Sequence, residues 1–512
     1  MSELLGRAPA LVLGVSVAAA LVIMLLPERA RSARAATALT AAVTKLALLA
    51  ALLPLVFDGD HPAVGWELLP GLRLELVADP LSMIFALLGS TLWLATTVYA
   101  LGYLRGDPQQ RRFFAFFSLC VTATVGIAFS ANLVTFVVFY EMLTLVTYPL
   151  VSHKGTPEAL KAARAYLYYA LAGGLVLLTG TVVLHLVTGT TSFSAGGNEA
   201  VAAYAQVHPA HAVVIVALLL AGLGVKAALV PLHSWLPLAM VAPAPVSALL
   251  HAVAVVKAGA FGIVRTVGDL FGVRALADLG VLDVLLVCAS VTILYGSARA
   301  LMQTDLKKRL AYSTVSQVSY IALGLAMVAP LASVGGVVHL FHQGITKIVL
   351  FFCAGLFAER HGATTVASLV GMGRRMPWTS AAFTIGAFGM IGLPPLAGFV
   401  SKWTLAQGAI ASDRDWVVAV LVASAALNCA YFLPVVYRIW WPPLAEHGVS
   451  DGPGSPDAPG SAGSDDPRPI ATRAMVVPTV VVAVLTVAAG AFAFADLAPL
   501  GLARQIVEGA PR

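Results

Sequence analysis

The chain has 512 residues, 59% of them hydrophobic and only 11% charged, with a mean hydropathy of +0.89. Soluble domains carry roughly a quarter charged residues, so the composition excludes a large soluble protein and predicts a polytopic membrane protein. The net charge of +6 does not point to nucleic acid, because the basic residues fall in short connections between apolar runs, where they report topology.

A helix needs roughly 20 apolar residues to cross the hydrocarbon core. In chain order the runs that qualify are 8–26, 36–57, 79–104, 112–130, 132–151, 162–188, 211–230, 244–266, 279–301, 308–328, 331–358, 378–410, 416–441 and 474–495, about fourteen spans. The first is followed by no small-residue cleavage site, so it is expected to be a retained helix rather than a signal peptide. Residues 449–469 (VSDGPGSPDAPGSAGSDDPRP) read as a flexible loop before the last span. The expected organisation is 1–111 for the first three helices, 112–266 and 279–441 for two five-helix units, 442–473 for the linker, and 474–512 for a final helix and tail.

Charge orients the chain. With both termini outside, the cytoplasmic connections hold 19 of the 31 basic residues, among them Arg29, Arg31, Arg34, Lys154, Lys161, Lys307, Lys308, Arg374 and Arg375. The outer side and tails hold seven. That asymmetry follows the positive-inside rule. The remaining five are all lysines, and all lie within spans: Lys45, Lys226, Lys257, Lys347 and Lys402.

Charged groups in mid-membrane cost about 2.5–3.5 kcal/mol each on insertion scales and face the bundle interior or a wet cavity. Glu141 is central in VTFVVFYEMLTLVTYPLV. Lys226 lies just before Pro231, and Lys257 is central in span eight with His251 six residues earlier. Lys347 is central in HLFHQGITKIVLFF, where His339 and His342 share a face at i,i+3 spacing. Lys402 follows the break GLPPLAGF. Desolvation disfavours a charged lysine and a nearby carboxylate favours it, while histidine is a natural relay. One acid and four lysines with histidines between them predict a proton path through the middle of the membrane. Lys45 has no ionisable partner in its own span and is expected to snorkel or to pair with a neighbouring helix. His233 is expected to be structural.

Pro231 and Pro237 break span seven, and Pro394 and Pro395 break span twelve. Broken helices at membrane depth survive only inside protein or beside water. Two breaks five spans apart predict two structural repeats, and five spans per unit makes them inverted. The fold class expected is therefore an all-α polytopic membrane protein of about fourteen transmembrane helices, with two inverted five-helix repeats and broken helices seven and twelve. The four cysteines are dispersed and form no CxxC pair, so disulfides and cysteine-bound metal are not expected. No nucleotide-binding loop is present, the His339/His342 pair has no third metal ligand nearby, and no cofactor is expected.

The stretches GVKAALVPLHSWLPLAMVAPAPVSALLHAVAVVKAG, FYEMLTLVTYPLV, DLKKRLAYSTVSQVSYIALG, HQGITKIVLFFCAG and GLPPLAGFVSKW resemble the antiporter-like proton-translocating subunits of complex I, membrane-bound hydrogenases and Mrp-type sodium/proton antiporters. The resemblance covers roughly residues 70–440. It implies that Glu141 pairs with Lys226, and that Lys257 with His251 joins the half-channels. It implies further that His339, His342 and Lys347 form the eleventh-helix relay, and that Lys402 is the terminal residue. Length, span count and Lys402 resemble most the D-type subunit of an Mrp antiporter. The chain ends soon after span fourteen, without the long lateral helix of the largest complex I member. Leu238 in WLPLAM departs from the polar residue typical there. The implied function is proton translocation within a multisubunit monovalent cation (Na+)/H+ antiporter of the bacterial cytoplasmic membrane, with other membrane subunits as partners. The alternative is the proton-pumping arm of a complex I-like quinone oxidoreductase or hydrogenase. In either case the chain carries no redox centre of its own.

Overall fold

The computed structural model describes residues 6–69, 72–441 and 469–508. Two outer helices, α1 (Ala8–Leu25) and α2 (Arg31–Phe57), lead into a short antiparallel hairpin of β1 (Ala63–Leu69) and β2 (Leu72–Val77). The sequence reading left this segment as a connection. The alternation in LRLELV is a strand period, and the hairpin packs against the connection at 130–131. There Ala131 N–H donates to the Glu75 carbonyl at 2.9 Å.

The remaining helices are α3 (Pro80–Tyr103), α4 (Gln110–Phe129), α5 (Leu133–Val151), α6 (Pro157–Thr188), α7 (Pro209–Ala227), α8 (Ala244–Leu270), α9 (Val281–Leu301), α10 (Leu306–Ala326) and α11 (Pro330–His361). Then come α12 (Pro377–Ile391), α13 (Ala397–Ala411), α14 (Asp415–Trp440), α15 (Pro469–Ala491) and α16 (Pro499–Glu508). Twelve helices among the described residues are long and apolar enough to cross a membrane. Two further crossings escape a length-and-hydropathy test. One is α10, which opens on Lys307, Lys308 and Arg309 and is rich in serine; the other is split into α12 and α13, each of 15 residues. With them the protein is an all-α polytopic membrane protein of about fourteen crossings. The Gly/Pro/Ser-rich linker lies outside the described residues. The expected tail instead contains α16, which buries Leu500, Leu502 and Ala503.

The centre of the molecule is α8 and α11, whose apolar windows are wholly or almost wholly buried. By contrast α2, α6, α14 and α15 present broad apolar faces outward, with Leu175, Leu186, Val422 and Val481 exposed. That is the pattern of a bundle solvated by lipid, where backbone groups are satisfied within helices.

The two repeats share a register over α5–α6 and α10–α11. A shift of 173 carries Asn132 to Asp305, Pro157 to Pro330 and Gly189 to Gly362. Asn132 and Asp305 are the side-chain N-caps of α5 and α10, the two prolines open α6 and α11, and the two glycines close them in left-handed conformations. The same shift relates two isolated bridges, Asn132 with Ser192 and Asp305 with Thr365. Five crossings separate equivalent helices, so the units are inverted. Each unit also contains its break: α7 ends at left-handed Ala228, and α12 ends at left-handed Gly392.

Candidate functional site

Small residues let α6 and α7 approach closely. A Cβ on Gly173 would lie 2.8 Å from the Val225 side chain, and one on Gly222 would lie 2.7 Å from the Gly173 carbonyl. Close glycine contacts of this kind are a common basis for packing in membranes. Lys226 sits in the last turn of α7, almost fully buried. Its ammonium donates to the Tyr140 carbonyl of α5 and lies 3.3 Å from the Tyr140 ring centroid. The neighbouring Glu141 is half-buried, with Oε1 enclosed and making no hydrogen bond within the protein. The expected ion pair is therefore not closed: the ammonium is taken by the Tyr140 carbonyl, and the Tyr140 hydroxyl donates to the Gly222 carbonyl at 3.1 Å. Trp235 Nε1 donates to the Val225 carbonyl at 2.8 Å, satisfying an acceptor that the break in α7 frees.

Helix α8 is not a regular α-helix. Residues Leu249–Val253 form a π-turn around His251, and a second, Arg265–Leu270, ends the helix. Such turns concentrate at functional sites. Both His251 nitrogens lack a partner in the protein, and the ring stacks on Phe351 of α11 at 4.5 Å. One and a half turns later, the fully buried Lys257 donates to the Leu340 carbonyl of α11 at 2.7 Å.

On α11, Lys347 donates to Ser313 Oγ of α10 at 2.5 Å. His339 Nδ1 lies 2.8 Å from Ser401 Oγ of α13, and its ring lies 5.1 Å from that of Tyr320. His342 is buried with neither nitrogen paired within the protein, as is the amide of Gln343 beside it. Lys402 of α13 donates to the carbonyls of Met390 (2.7 Å) and Ile391 (3.1 Å), the open end of α12. A cation there meets the negative end of the helix dipole.

All eight residues singled out by sequence thus lie on α5, α7, α8, α11 and α13. None of the four lysines forms a salt bridge among the described residues; each leans on backbone carbonyls or a hydroxyl. Sequence reasoning missed their partners: Ser313, Ser401 and Tyr320, and also Lys307, whose ammonium holds the Ala242 carbonyl (2.6 Å) ahead of α8. Those residue types carry no signal until the helices are placed. His233 packs against Tyr295 away from this row, at a ring distance of 5.0 Å. Of the cysteines, Cys120 and Cys353 are buried, Cys429 is half-buried and Cys288 is exposed.

The family model for the transmembrane region of NADH:quinone oxidoreductase and Mrp antiporters matches residues 130–428, and that for the N-terminus of complex I chain 5 matches 71–114. The chain belongs to this family. It is 36% identical to NADH-quinone oxidoreductase subunit N of Desulforudis audaxviator, over 75% of this chain and 76% of that protein. It is 32% identical to a probable K(+)/H(+) antiporter A/B subunit of Rhizobium meliloti, over 76% of this chain but 38% of that protein. In three dimensions it is similar to a chain of the Mrp complex from Dietzia sp. DQ12-45-1b, with a TM-score of 0.85 and 26% identity over 98% of this chain and 97% of that one. As a member of the NADH:quinone oxidoreductase/Mrp antiporter family, the chain is an antiporter-like, proton-translocating membrane subunit.

Proposed function

We propose that the chain is the proton-translocating subunit of a multisubunit monovalent cation/H+ antiporter, closest to the D-type Mrp subunit, with Na+ as the exchanged cation. The observation that carries the reading is the row of four lysines, Lys226, Lys257 and Lys347 buried and Lys402 half-buried, none in a salt bridge among the described residues and each held by neutral acceptors. A buried ammonium held this way gains far less than one in an ion pair, so its proton is exchangeable.

In this reading a proton enters at Lys226, whose affinity for it depends on whether Glu141 swings past Tyr140. It passes by way of the α8 π-turn at His251 to Lys257, then along His339, His342 and Lys347 to Lys402. Interacting sites of this kind titrate as a set. Residues 112–266 and 279–441 act as two half-channels meeting at α8 and α11. The basic asymmetry supports both termini outside, in the cytoplasmic membrane of a bacterium, with other membrane subunits as partners.

The test is ΔpH formation by the whole complex in inverted vesicles. Glu141→Ala and Lys226→Ala are expected to abolish Na+-dependent exchange while leaving assembly intact, and full activity in either sinks the pair. The second reading, a pump arm of a quinone oxidoreductase, rests on the similarity to subunit N. Iron–sulfur or flavin proteins in a gentle-detergent pull-down would favour it over the antiporter.

A further inference from the structure

A fifth lysine within a span stands outside the row. Lys45 of α2 neither snorkels nor finds an acid. It is completely buried, and its Nζ donates to Ser16 Oγ of α1 at 2.6 Å. The elements packed around it offer Ser16 from α1, the Trp93 ring of α3 at 5.4 Å and, through Ser16, Thr122 of α4; none is charged. Tying α1 to α2 requires no cation, since a serine or asparagine does as much without the cost of burying charge.

The hydroxyl pair suits both protonation states of an amine. Ser16 Oγ accepts from Lys45 and has the Leu13 carbonyl at 3.1 Å for its own proton. Thr122 Oγ1 reaches either Ser16 Oγ at 2.8 Å or the Ser118 carbonyl at 3.1 Å. With an ammonium, Ser16 donates to Leu13. With a neutral amine, the Ser16 hydroxyl turns to donate to Nζ, and Thr122 keeps a partner throughout.

Unpaired polar atoms lie on the helix beside Lys45, whose Nζ is 5.4 Å from the Trp93 ring. On α3, Ser90 Oγ, Trp93 Nε1 and Thr97 Oγ1 are enclosed and unpaired within the protein, at i, i+3 and i+7 on one face. Buried polar atoms of this kind are satisfied by ordered water. Helix α3 in turn abuts the row: Leu88 packs on Gly344 of α11, and the Gly89 backbone faces Val253 in the π-turn of α8.

We propose that Lys45 is a further protonatable group of the transport path, a side branch that exchanges one proton with the central row along the polar face of α3. The ammonium releases that proton to water on the face and becomes the amine that Ser16 then serves. The proposal rests on the proton-translocating reading above, so the test carries Lys257→Met as its control.

The assay is ΔpH formation by the complete assembly in inverted vesicles, as a function of pH, with assembly followed on native gels. Lys45→Gln keeps a donor to Ser16, and Lys45→Arg keeps a cation that does not deprotonate. Both are expected to slow exchange by roughly a factor of ten, below the 10²–10⁴ of a group on a main transfer route, and to change the pH profile. Wild-type rate and profile in the Gln variant, or full rescue by Arg, overturns the proposal. Should both variants fail to assemble, Trp93→Phe decides. It keeps an aromatic ring and removes Nε1, and an unchanged rate and profile overturns the side branch. An active Lys257→Met would instead refute the central row, whatever Lys45 does.

Discussion

Gly174 holds the slot in which the Glu141 carboxylate lies, and replacing it with alanine isolates that carboxylate's position from its charge. A Cβ at 174 would overlap Glu141 Oε1, with Cδ at 2.5 Å and Oε2 at 2.9 Å. Carbon atoms in contact prefer about 3.5–4.0 Å, so the overlap is about an ångström. Retaining the carboxylate would cost about 1–3 kcal/mol of overpacking. Glycine to alanine within a helix returns about 0.8–1.0 kcal/mol. The displaced atoms are the free end of a half-buried side chain, so Glu141 swings away and assembly is retained. Exchange in inverted vesicles is expected to fall by about tenfold, a lost interaction of about 1.4 kcal/mol. Because the change acts through the carboxylate, shortening that side chain in Gly174→Ala/Glu141→Asp should cost no more than Glu141→Asp alone. A wild-type rate in Gly174→Ala, or losses that multiply in that double variant, refutes the slot.

Gly259→Ala presents the opposite case, because its Cβ would meet backbone: the Leu223 carbonyl at 2.7 Å and Lys226 C at 2.8 Å. No rotamer relieves that contact, so α7 and α8 must separate, and loss of assembled complex on native gels is expected. Ser401→Ala leaves His339 Nδ1 without its protein partner, at about 1–3 kcal/mol; exchange should slow several-fold while assembly holds, measured in the same vesicles. At the outer end of α8, Arg265 bridges Asp79 (2.6 Å) and Asp269 (2.7 Å). Arg265→Gln should destabilise by about 3–5 kcal/mol, read as a lowered melting temperature in detergent with an unchanged row of lysines.

The sequence announced the crossings and the breaks because both are set by composition. Apolar runs of membrane length and prolines within them act locally. It announced the buried bases for the same reason, since a lysine in an apolar run has no neighbour in sequence to explain it. Contacts between helices left no such trace. Ser313 and Ser401 look like any serine on a membrane helix until α10 and α13 are placed beside α11. The π-turn around His251 was hidden too, because an extra residue in a turn changes no composition. Lys45 was visible as an anomaly, but its partner Ser16 lies on another helix, 29 positions away. The hairpin at 63–77 was legible in its alternation and was masked only by its apolar surroundings.

The repeat relation gives the ionisable groups an order that their sequence positions conceal. Under the shift of 173, Gly174 of α6 corresponds to Lys347 of α11, and Tyr140 and Glu141 of α5 correspond to Ser313 and Thr314 of α10. The α5–α6 contact therefore holds an acid facing a glycine, and the equivalent α10–α11 contact holds a lysine facing a serine, at the hydrogen bond between Lys347 and Ser313. Each unit places one ionisable group at the same locus, from opposite helices and with opposite sign. In the first unit, Lys226 approaches from α7 and takes the Tyr140 carbonyl, which leaves the acid unpaired. In the second no acid takes its place, and the lysine leans on the Ser313 hydroxyl and the Leu310 carbonyl. The two units are thus electrostatically unlike on one backbone plan, and the difference is built from side chains rather than from a difference in fold.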